Sequence, residues 1–380
     1  MKTHSTVIVL SMLLLLAAAA SLYTVFHATP SAPPAAQGSH KRSTVQPPAP
    51  GQQTPVLWRM PVSSTANKPT ALPCGWLLTD TDGHLLSLTG KGVIRWQASY
   101  SNHTWQASTV VDDKTICAVT QKGQLVLMDA STGVIKWSVE TGTRVLHPPL
   151  VEMWDQQCVI ILLSQEDGIL TCINARDGSL RWRSPATNRS DGPPVRSGDV
   201  IAYGNCDAAV HLFSITNGHL IGSIQLASDE QIAGAVLPLP NAKLIVGTQS
   251  GKLALLDTRR MVCISRASVS DTEAFATPIL IGTNRIFMPV SEGRMTFWRI
   301  EEDKFIADDA MQLATRFDET IVVDNIFWAI ANRSVHAARI TSPSEQMHFK
   351  LGDDLRNIAP GCFGETVLIA DGELICVKGF

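Results

Sequence analysis

The sequence predicts an all-β protein, an eight-bladed β-propeller of four-stranded antiparallel blades, from three observations. First, a strand–turn–strand pattern, clearest in KGQLVLMDASTGVIKWSVETG at residues 122–142, returns roughly every 40 residues. Second, an apolar strand precedes each copy in the same phase, with a shorter strand before it. Third, the last copy ends at Phe380 without its fourth strand, and an isolated strand at residues 56–61 can supply it. That pairing would close the ring and remove an exposed sheet edge.

The clearest copy shows why repetition is needed. Residues 124–129 form one strand, the polar turn ends at Gly133, and the second strand carries Trp137. Glycine suits this turn because it tolerates positive φ. A single hairpin is marginal in water, so the copies must pack on one another. The predicted blades are 70–99, 106–140, 146–184, 192–226, 232–267, 274–308, 315–350 and 357–380 with 56–61.

Four tryptophans occupy one repeat position, in the outer strands of blades 8, 1, 2 and 3: Trp58, Trp96, Trp137 and Trp182. We expect each indole to pack against the neighbouring blade and to find an acceptor for its N–H. In blades 4 to 7 this position falls near Gly222, Ile264, Ile306 and Met347.

Two further tryptophans, Trp105 and Trp154, lie outside that repeat position. An exposed tryptophan is a good interface anchor, so both are possible interface residues. The alternative is that they cap the edges of their blades.

The amino-terminal part divides into two further segments. Residues 1–28 are a signal peptide or an N-terminal membrane anchor, because residues 7–26 form an apolar stretch without a charge. Residues 29–55 are rich in Pro, Ala and Ser and predict a disordered linker. The propeller itself is assigned to residues 56–380. With either interpretation of residues 1–28 the chain is exported.

The composition narrows the function. A formal net charge of −3, without a basic run between aromatic residues, does not favour a nucleic-acid role. The eight cysteines form no paired motif and lie mostly in apolar strands, which favours buried thiols over a disulfide framework. Acidic pairs such as Asp112 and Asp113 adjoin predicted turns, where Asp is favoured. We find no metal or nucleophile motif and predict no catalytic residue, no metal site and no enzymatic activity.

The repeat resembles that of PQQ-like β-propellers, Gly-x-Leu-x-x-x-Asp-Ala-x-x-Gly-x-x-x-Trp. Gly123, Leu125, Asp129, Gly133 and Trp137 match it, and the resemblance covers residues 55–380. One class of this family, the quinoprotein dehydrogenases, holds pyrroloquinoline quinone and calcium on long inserted loops. The short connections here are similar instead to the BamB-type outer-membrane-protein assembly factors.

Resemblance to the BamB-type factors implies a non-enzymatic, protein-binding scaffold in the periplasm. Such a protein would be monomeric and without a cofactor, and its partners would be envelope or membrane proteins. Those factors carry a lipid-modified cysteine after the signal, whereas here no cysteine precedes Cys74. Residues 7–26, if uncleaved, would instead tether the chain to the inner membrane. Two alternatives stay open: a channel that binds a quinone cofactor with calcium or a carbohydrate, and a sensor of a cell-wall ligand.

Overall fold

The computed structural model describes residues 55–100, 103–232, 234–271, 277–361 and 365–379. These residues form β-strands joined by turns and loops, with no helix among them. Within the described residues there is accordingly no helix that could cross a membrane. The predicted signal or anchor (1–28) and the predicted linker (29–55), apart from Pro55, lie outside the described residues.

Blades 1 to 4 follow one another along the chain. Blade 1 holds β2 (Thr70–Leu72), β3 (Gly75–Thr79), β4 (His84–Thr89) and β5 (Ile94–Ser99); blade 2 holds β6 (Trp105–Asp112), β7 (Thr115–Thr120), β8 (Gln124–Asp129) and β9 (Ile135–Glu140); blade 3 holds β10 (Leu150–Trp154), β11 (Gln157–Leu163), β12 (Leu170–Asn174) and β13 (Leu180–Arg183); blade 4 holds β14 (Val195–Ser197), β15 (Val200–Gly204), β16 (Ala209–Ser214) and β17 (Leu220–Gln225).

Blades 5 to 8 complete the ring. Blade 5 holds β18 (Leu237–Leu239), β19 (Lys243–Gly247), β20 (Lys252–Asp257) and β21 (Val262–Ser268); blade 6 holds β22 (Ile279–Ile281), β23 (Arg285–Val290), β24 (Arg294–Glu301) and β25 (Lys304–Gln312); blade 7 holds β26 (Glu319–Val323), β27 (Ile326–Ala331), β28 (Ser334–Arg339) and β29 (Ser342–Phe349); blade 8 holds β30 (Leu355–Pro360), β31 (Glu365–Ala370), β32 (Glu373–Lys378) and the N-terminal β1 (Val56–Pro61).

The predicted fold is confirmed. Every sheet has four antiparallel strands, and β1 pairs with β32 in the order β1-β32-β31-β30. Trp58 lies opposite Cys376 in that register, and Lys378 N donates to Pro55 O at 2.8 Å. The first and last strands of the described chain therefore share one blade, as the isolated strand at residues 56–61 predicted.

The outer strands of blades 1 to 7 each contain a bulge. In blades 1 to 3 the tryptophan follows the bulge directly, as Trp137 does opposite Leu127. By this register the equivalent residues of blades 4 to 7 are Gly222, Ser265, Asp309 and Gln346. Gly222 is as predicted, whereas Ile264, Ile306 and Met347 are displaced. The shift in blade 6 arises because its third and fourth strands stay paired up to a two-residue turn, Glu302 and Asp303, which makes this hairpin longer than that of blade 2.

The core is divided among the interfaces between blades. Each of the eight apolar clusters combines side chains of two adjacent blades, as Val119 and Leu125 of blade 2 do with Ile160 and Leu162 of blade 3. A blade cannot bury its faces alone, so the ring is the unit of stability. The seven described cysteines form no disulfide, and Cys117, Cys172 and Cys376 are buried among these side chains. Cys362 lies outside the described residues.

Candidate docking face and central channel

Alternation of antiparallel strands gives the ring two different faces. One face carries the loops that join one blade to the next, such as 141–149 and 184–194, with the turns between second and third strands. We call it the connection face. The other carries the turns between first and second strands and between third and fourth strands, and we call it the hairpin face. First strands of neighbouring blades contact each other, as β2 does with β6 and β30, so the first strands line the central channel.

A cavity of about 730 Å³ opens where the channel meets the connection face, beside blades 8, 1, 2 and 3. Most of the residues that line it are of polar type, among them Asn67, Lys68, Gln106, His147 and Arg356. These residues come from the first strands or from the loops just before them. The cavity therefore lies on one side of the channel mouth.

Hydrogen bonds across the blades fix this polar mouth. Asn67 Nδ2 donates to Trp105 O at 2.9 Å, and Asn357 Nδ2 donates to Ala66 O at 3.2 Å. Thr70 Oγ1 donates to Ser108 O at 3.1 Å. Each bond joins the first strand of one blade, or the loop before it, to a neighbouring blade, so the inner ring is held by side chains as well as by packing.

Charged groups at the mouth are arranged in pairs. Lys68 Nζ lies 2.8 Å from Glu319 Oε1. This ion pair connects blade 1 to blade 7 across the position of blade 8. His147 Nε2 lies against Asp191 O, and burial lowers the pKa of this histidine below its ordinary value. His147 is therefore neutral at neutral pH, and the charge of the mouth comes from Lys68, Arg356 and their partners.

The long loop between blades 3 and 4 is ordered around Asp191. Its Oδ1 accepts from Gln165 Nε2 at 3.0 Å and from Arg189 Nε at 3.1 Å, and Cys206 Sγ lies 3.4 Å from Oδ2. Burial would raise the pKa of Asp191, but these hydrogen bonds and the Arg189 charge hold it below its usual value. A carboxylate so bound keeps the loop in one conformation, which suits a docking surface.

The four repeat-position tryptophans lie away from this mouth, at the hairpin face. Each indole N–H donates to a backbone carbonyl in the next blade's outer turn at 2.9–3.1 Å: Trp58 to Gly90, Trp96 to Ala130, Trp137 to Ala175 and Trp182 to Ile215. A Cβ added at the turn glycine of that blade would meet the indole, as at Gly218 beneath Trp182. These tryptophans join blades and do not line the channel.

Comparisons with known proteins agree with this architecture. The family model described as outer membrane protein assembly factor BamB matches residues 56–235 and 154–305, overlapping segments that together span more than half of the chain. The chain belongs to the BamB family. The curated BamB of Moranella endobia (strain PCIT) is 27% identical over 194 residues, 47% of each chain. The match thus spans about half the length of that relative.

Solved structures similar to this BamB-family chain share its fold. BamB from Moraxella catarrhalis superimposes with a TM-score of 0.65 at 16% identity, covering 85% of this chain and 99% of that one. The computationally designed protein Ika8 superimposes with a TM-score of 0.59 at 14% identity, covering 87% and 98%. At such low identity the likeness concerns the fold alone.

The two tryptophans considered as possible interface residues, Trp105 and Trp154, differ in their burial. Trp105 is fully buried in β6, with its ring centroid 5.9 Å from Tyr100 and 5.0 Å from His103. This burial does not favour an interface at Trp105, because the side chain presents no exposed surface. Trp154 is partly buried at the hairpin face, where Arg196 of blade 4 covers its ring at 5.5 Å. Its interface role stays a prediction.

The donor set of the channel mouth does not suit the cofactor of the quinoprotein class. Calcium takes carboxylate and carbonyl oxygens, whereas the described side chains lining the cavity contribute two cations, Lys68 and Arg356, together with amides and hydroxyls. Within the described residues no three His, Cys, Asp or Glu side chains form a group that could hold a metal ion. The mouth can instead form hydrogen bonds and ion pairs with another chain.

The acidic pair noted in the sequence, Asp112 and Asp113, serves a turn: Asp112 Oδ1 accepts from Lys114 N at 2.8 Å. Sequence reasoning missed the polar mouth itself, because Asn67, Gln106 and Asn357 form no motif. Only their common place, at or just before a first strand, could have pointed to it.

Proposed function

We propose that the chain is a non-enzymatic scaffold that binds protein partners during assembly of outer membrane proteins. Membership of the BamB family is the observation that supports this most strongly. The ordered connection face is the surface we assign to partner binding, because function tends to lie on loops held by a rigid scaffold.

We place the protein in the periplasm, with residues 7–26 as an uncleaved tether to the inner membrane. This part of the proposal rests on the apolar stretch and on the lack of a cysteine before Cys74. Mass spectrometry of the mature N-terminus tests it: the intact residue 1–28 segment is expected, and a new terminus after residue 20 would contradict the tether.

Site-specific photocrosslinking in cells tests the scaffold role. A photoreactive residue at position 122 or 189, on the connection face, should capture outer-membrane assembly proteins. The same residue at position 304, in the hairpin of blade 6, is the matched control. Capture of no specific protein from the connection face, or equal capture from position 304, would refute the assignment of that face.

The absence of a cofactor is proposed separately. Calorimetric titration with pyrroloquinoline quinone and calcium should give no binding heat, because the channel mouth presents cations and amides rather than clustered carboxylates. Saturable heat that disappears in a Lys68→Ala, Arg356→Ala variant would instead establish the channel as a ligand site.

A further inference from the structure

Exposed aliphatic side chains concentrate at one edge of the propeller. Most of the large exposed hydrophobic residues in the described chain lie where an outer strand begins, directly after the turn from the third strand. In blades 1 to 5 they are 36–63% exposed. We call six of them the aliphatic edge: Val93, Val134, Leu180, Leu220, Ile221 and Val262.

The aliphatic edge forms one continuous arc. The turns between third and fourth strands all belong to the hairpin face, so their residues share one level of the ring. The indole bonds show that successive turns are neighbours: Trp96 of blade 1 reaches Ala130 of blade 2, and Trp137 of blade 2 reaches Ala175 of blade 3. Contiguous apolar surface of this kind marks an interaction site more often than scattered residues do.

Basic side chains accompany the aliphatic edge. Lys91, Arg95, Lys136 and Arg176 are exposed in or beside the same turns of blades 1 to 3, and Arg259 and Arg260 are exposed in the turn of blade 5. The carboxylates of these turns are engaged locally, as Asp257 Oδ1 accepts from both Arg259 N and Arg260 N. Acidic turns also lie on the hairpin face: Asp112 and Asp113 join first and second strands nearer the channel, and Glu302 and Asp303 form the outer turn of blade 6, beyond the five blades of the aliphatic edge.

The described chain also begins at this edge. Val56 opens the outer strand of blade 8, and Trp58 in that strand lies on Gly92, next to Val93. Leu57 is itself 45% exposed. In the sequence, the linker of residues 29–55 connects this point to the apolar stretch of residues 7–26.

We propose that the aliphatic edge contacts the surface of an anionic lipid bilayer. A coplanar arc of aliphatic side chains flanked by lysine and arginine suits a flat anionic surface, in which apolar groups enter the interface and cations meet the headgroups. A protein partner would have to follow the arc around five blades. The inference goes beyond the scaffold role, because it orients the hairpin face toward the membrane and leaves the connection face for partners.

Fluorescence quenching in proteoliposomes tests this orientation. The full chain, with Cys74→Ser and Cys362→Ser, carries an environment-sensitive fluorophore at Val134→Cys or, as the matched control on the connection face, at Lys122→Cys. Vesicles contain phosphatidylcholine with or without phosphatidylglycerol, together with a lipid-attached quencher. We expect strong quenching at position 134 and none at 122, with the quenching at 134 reduced when phosphatidylglycerol is omitted.

A second variant separates lipid contact from misfolding. Val93→Ser, Leu180→Ser and Ile221→Ser remove exposed side chains, so the β-sheet circular dichroism should be retained while quenching at position 134 is lost. Equal quenching at 134 and 122 would overturn the proposal. If position 134 stays unquenched and the serine variant instead loses crosslinks to a membrane protein, the edge binds protein, and the lipid assignment is likewise overturned. Neither result bears on capture from the connection face.

Discussion

The two halves of the ring join their blades by different contacts. From blade 8 through blade 4, a large indole of one outer strand lies on a glycine in the next blade's turn, as Trp182 lies on Gly218. Between blades 4 and 5 the sizes are exchanged. Gly222 takes the tryptophan position, and Met261 takes the turn position with φ of 55°. A Cβ added at Gly222 would collide with Met261 Cε.

The exchange shows that the junction requires a complementary pair of side chains and not a tryptophan as such. The turn keeps a left-handed backbone at this position even where the residue is methionine, although that conformation is costly for an L-residue with a side chain. The methionine is flexible enough to fill the space that the indole leaves. Volume conservation across the junction thus outweighs the local preference for glycine.

Farther round, at the junction of blades 6 and 7, aromatic rings of the second strands and of the loop before β26 pack together. Phe287 of blade 6 and Phe327 of blade 7 have ring centroids 5.1 Å apart, and Phe317 lies 5.2 Å from Phe327. The edge-to-face geometry is one that aromatic pairs prefer. Stability in this half therefore comes from inner packing, whereas in the first half it comes also from the outer tryptophans.

Removal of an outer tryptophan should have the largest effect. Trp182→Ala deletes a buried indole and leaves Ile215 O without its donor, so we expect a loss of about 3–5 kcal/mol in the free energy of unfolding. Urea denaturation followed by circular dichroism measures it. Ile306→Ala, at an exposed position of blade 6, is the control and should change stability by less than about 0.5 kcal/mol. Equal effects of the two variants would contradict the comparison.

The sequence predicted the number of blades, the closure of the ring and the tryptophan positions of the first half. It did so because the copies up to Trp182 keep the spacing from glycine to leucine and from the turn to tryptophan. In blades 5 to 7 the residues predicted to be equivalent to the tryptophan were displaced along the outer strand. Sequence alone places Ile306 at the repeat distance, but the third and fourth strands of blade 6 stay paired up to a two-residue turn, Glu302 and Asp303, so the hairpin is longer and the equivalent residue is Asp309. The length of the hairpin decides such a register, and the acidic sequence does not reveal it.

The candidate site was less predictable than the fold. The bond from Asn67 to Trp105 O joins residues of different blades, and neither residue belongs to a recognisable motif. The pairing of Gly222 with Met261 was hidden for the same reason, since each departs from the repeat in a different copy. Contacts between blades depend on which copies become neighbours, and a periodic pattern treats all copies alike.

An exchange of the pair at the junction of blades 4 and 5 sharpens the comparison. Gly222→Trp alone should destabilise by about 1–3 kcal/mol, because the indole meets Met261. Met261→Gly alone loses packing in the same range, partly offset by relief of the left-handed backbone. Together the two changes recreate the pair found in blades 3 and 4, so the double variant should be more stable than the sum predicts by about 1–3 kcal/mol.

A double-mutant cycle in urea measures this coupling energy. The matched control combines Gly222→Trp with Val262→Ala, which removes an exposed neighbour of Met261 and leaves the methionine in place. Additive effects in the Gly222→Trp, Met261→Gly cycle would show that the two sites do not form a complementary pair.

The smallest effect is expected at the polar contact beside this junction. Glu230 is 1% exposed, and its carboxylate lies 3.2 Å from Arg266 Nε and 3.3 Å from Lys252 Nζ. Ala227 N also donates to it, at 3.0 Å. Glu230→Gln keeps the shape but removes the charge, so we expect a loss of about 1–2 kcal/mol at neutral pH, tempered by the exposure of both cations. Glu166→Gln, in an exposed pair with Arg144, should cost almost nothing.

The pH dependence of stability tests whether the charge of Glu230 is responsible for this difference. Burial alone would raise the pKa of Glu230, but the hydrogen bonds from Ala227 and Arg266 and the two cations hold it below the ordinary value. A lowered pKa in the folded state means that the stabilisation is present above the pKa of the unfolded chain and is lost as the pH falls through the folded pKa. The stability gap between the native protein and Glu230→Gln should therefore be widest at neutral pH and close in acid below the normal glutamate range. Unfolding midpoints measured across that range would contradict the charge assignment if the gap stayed constant.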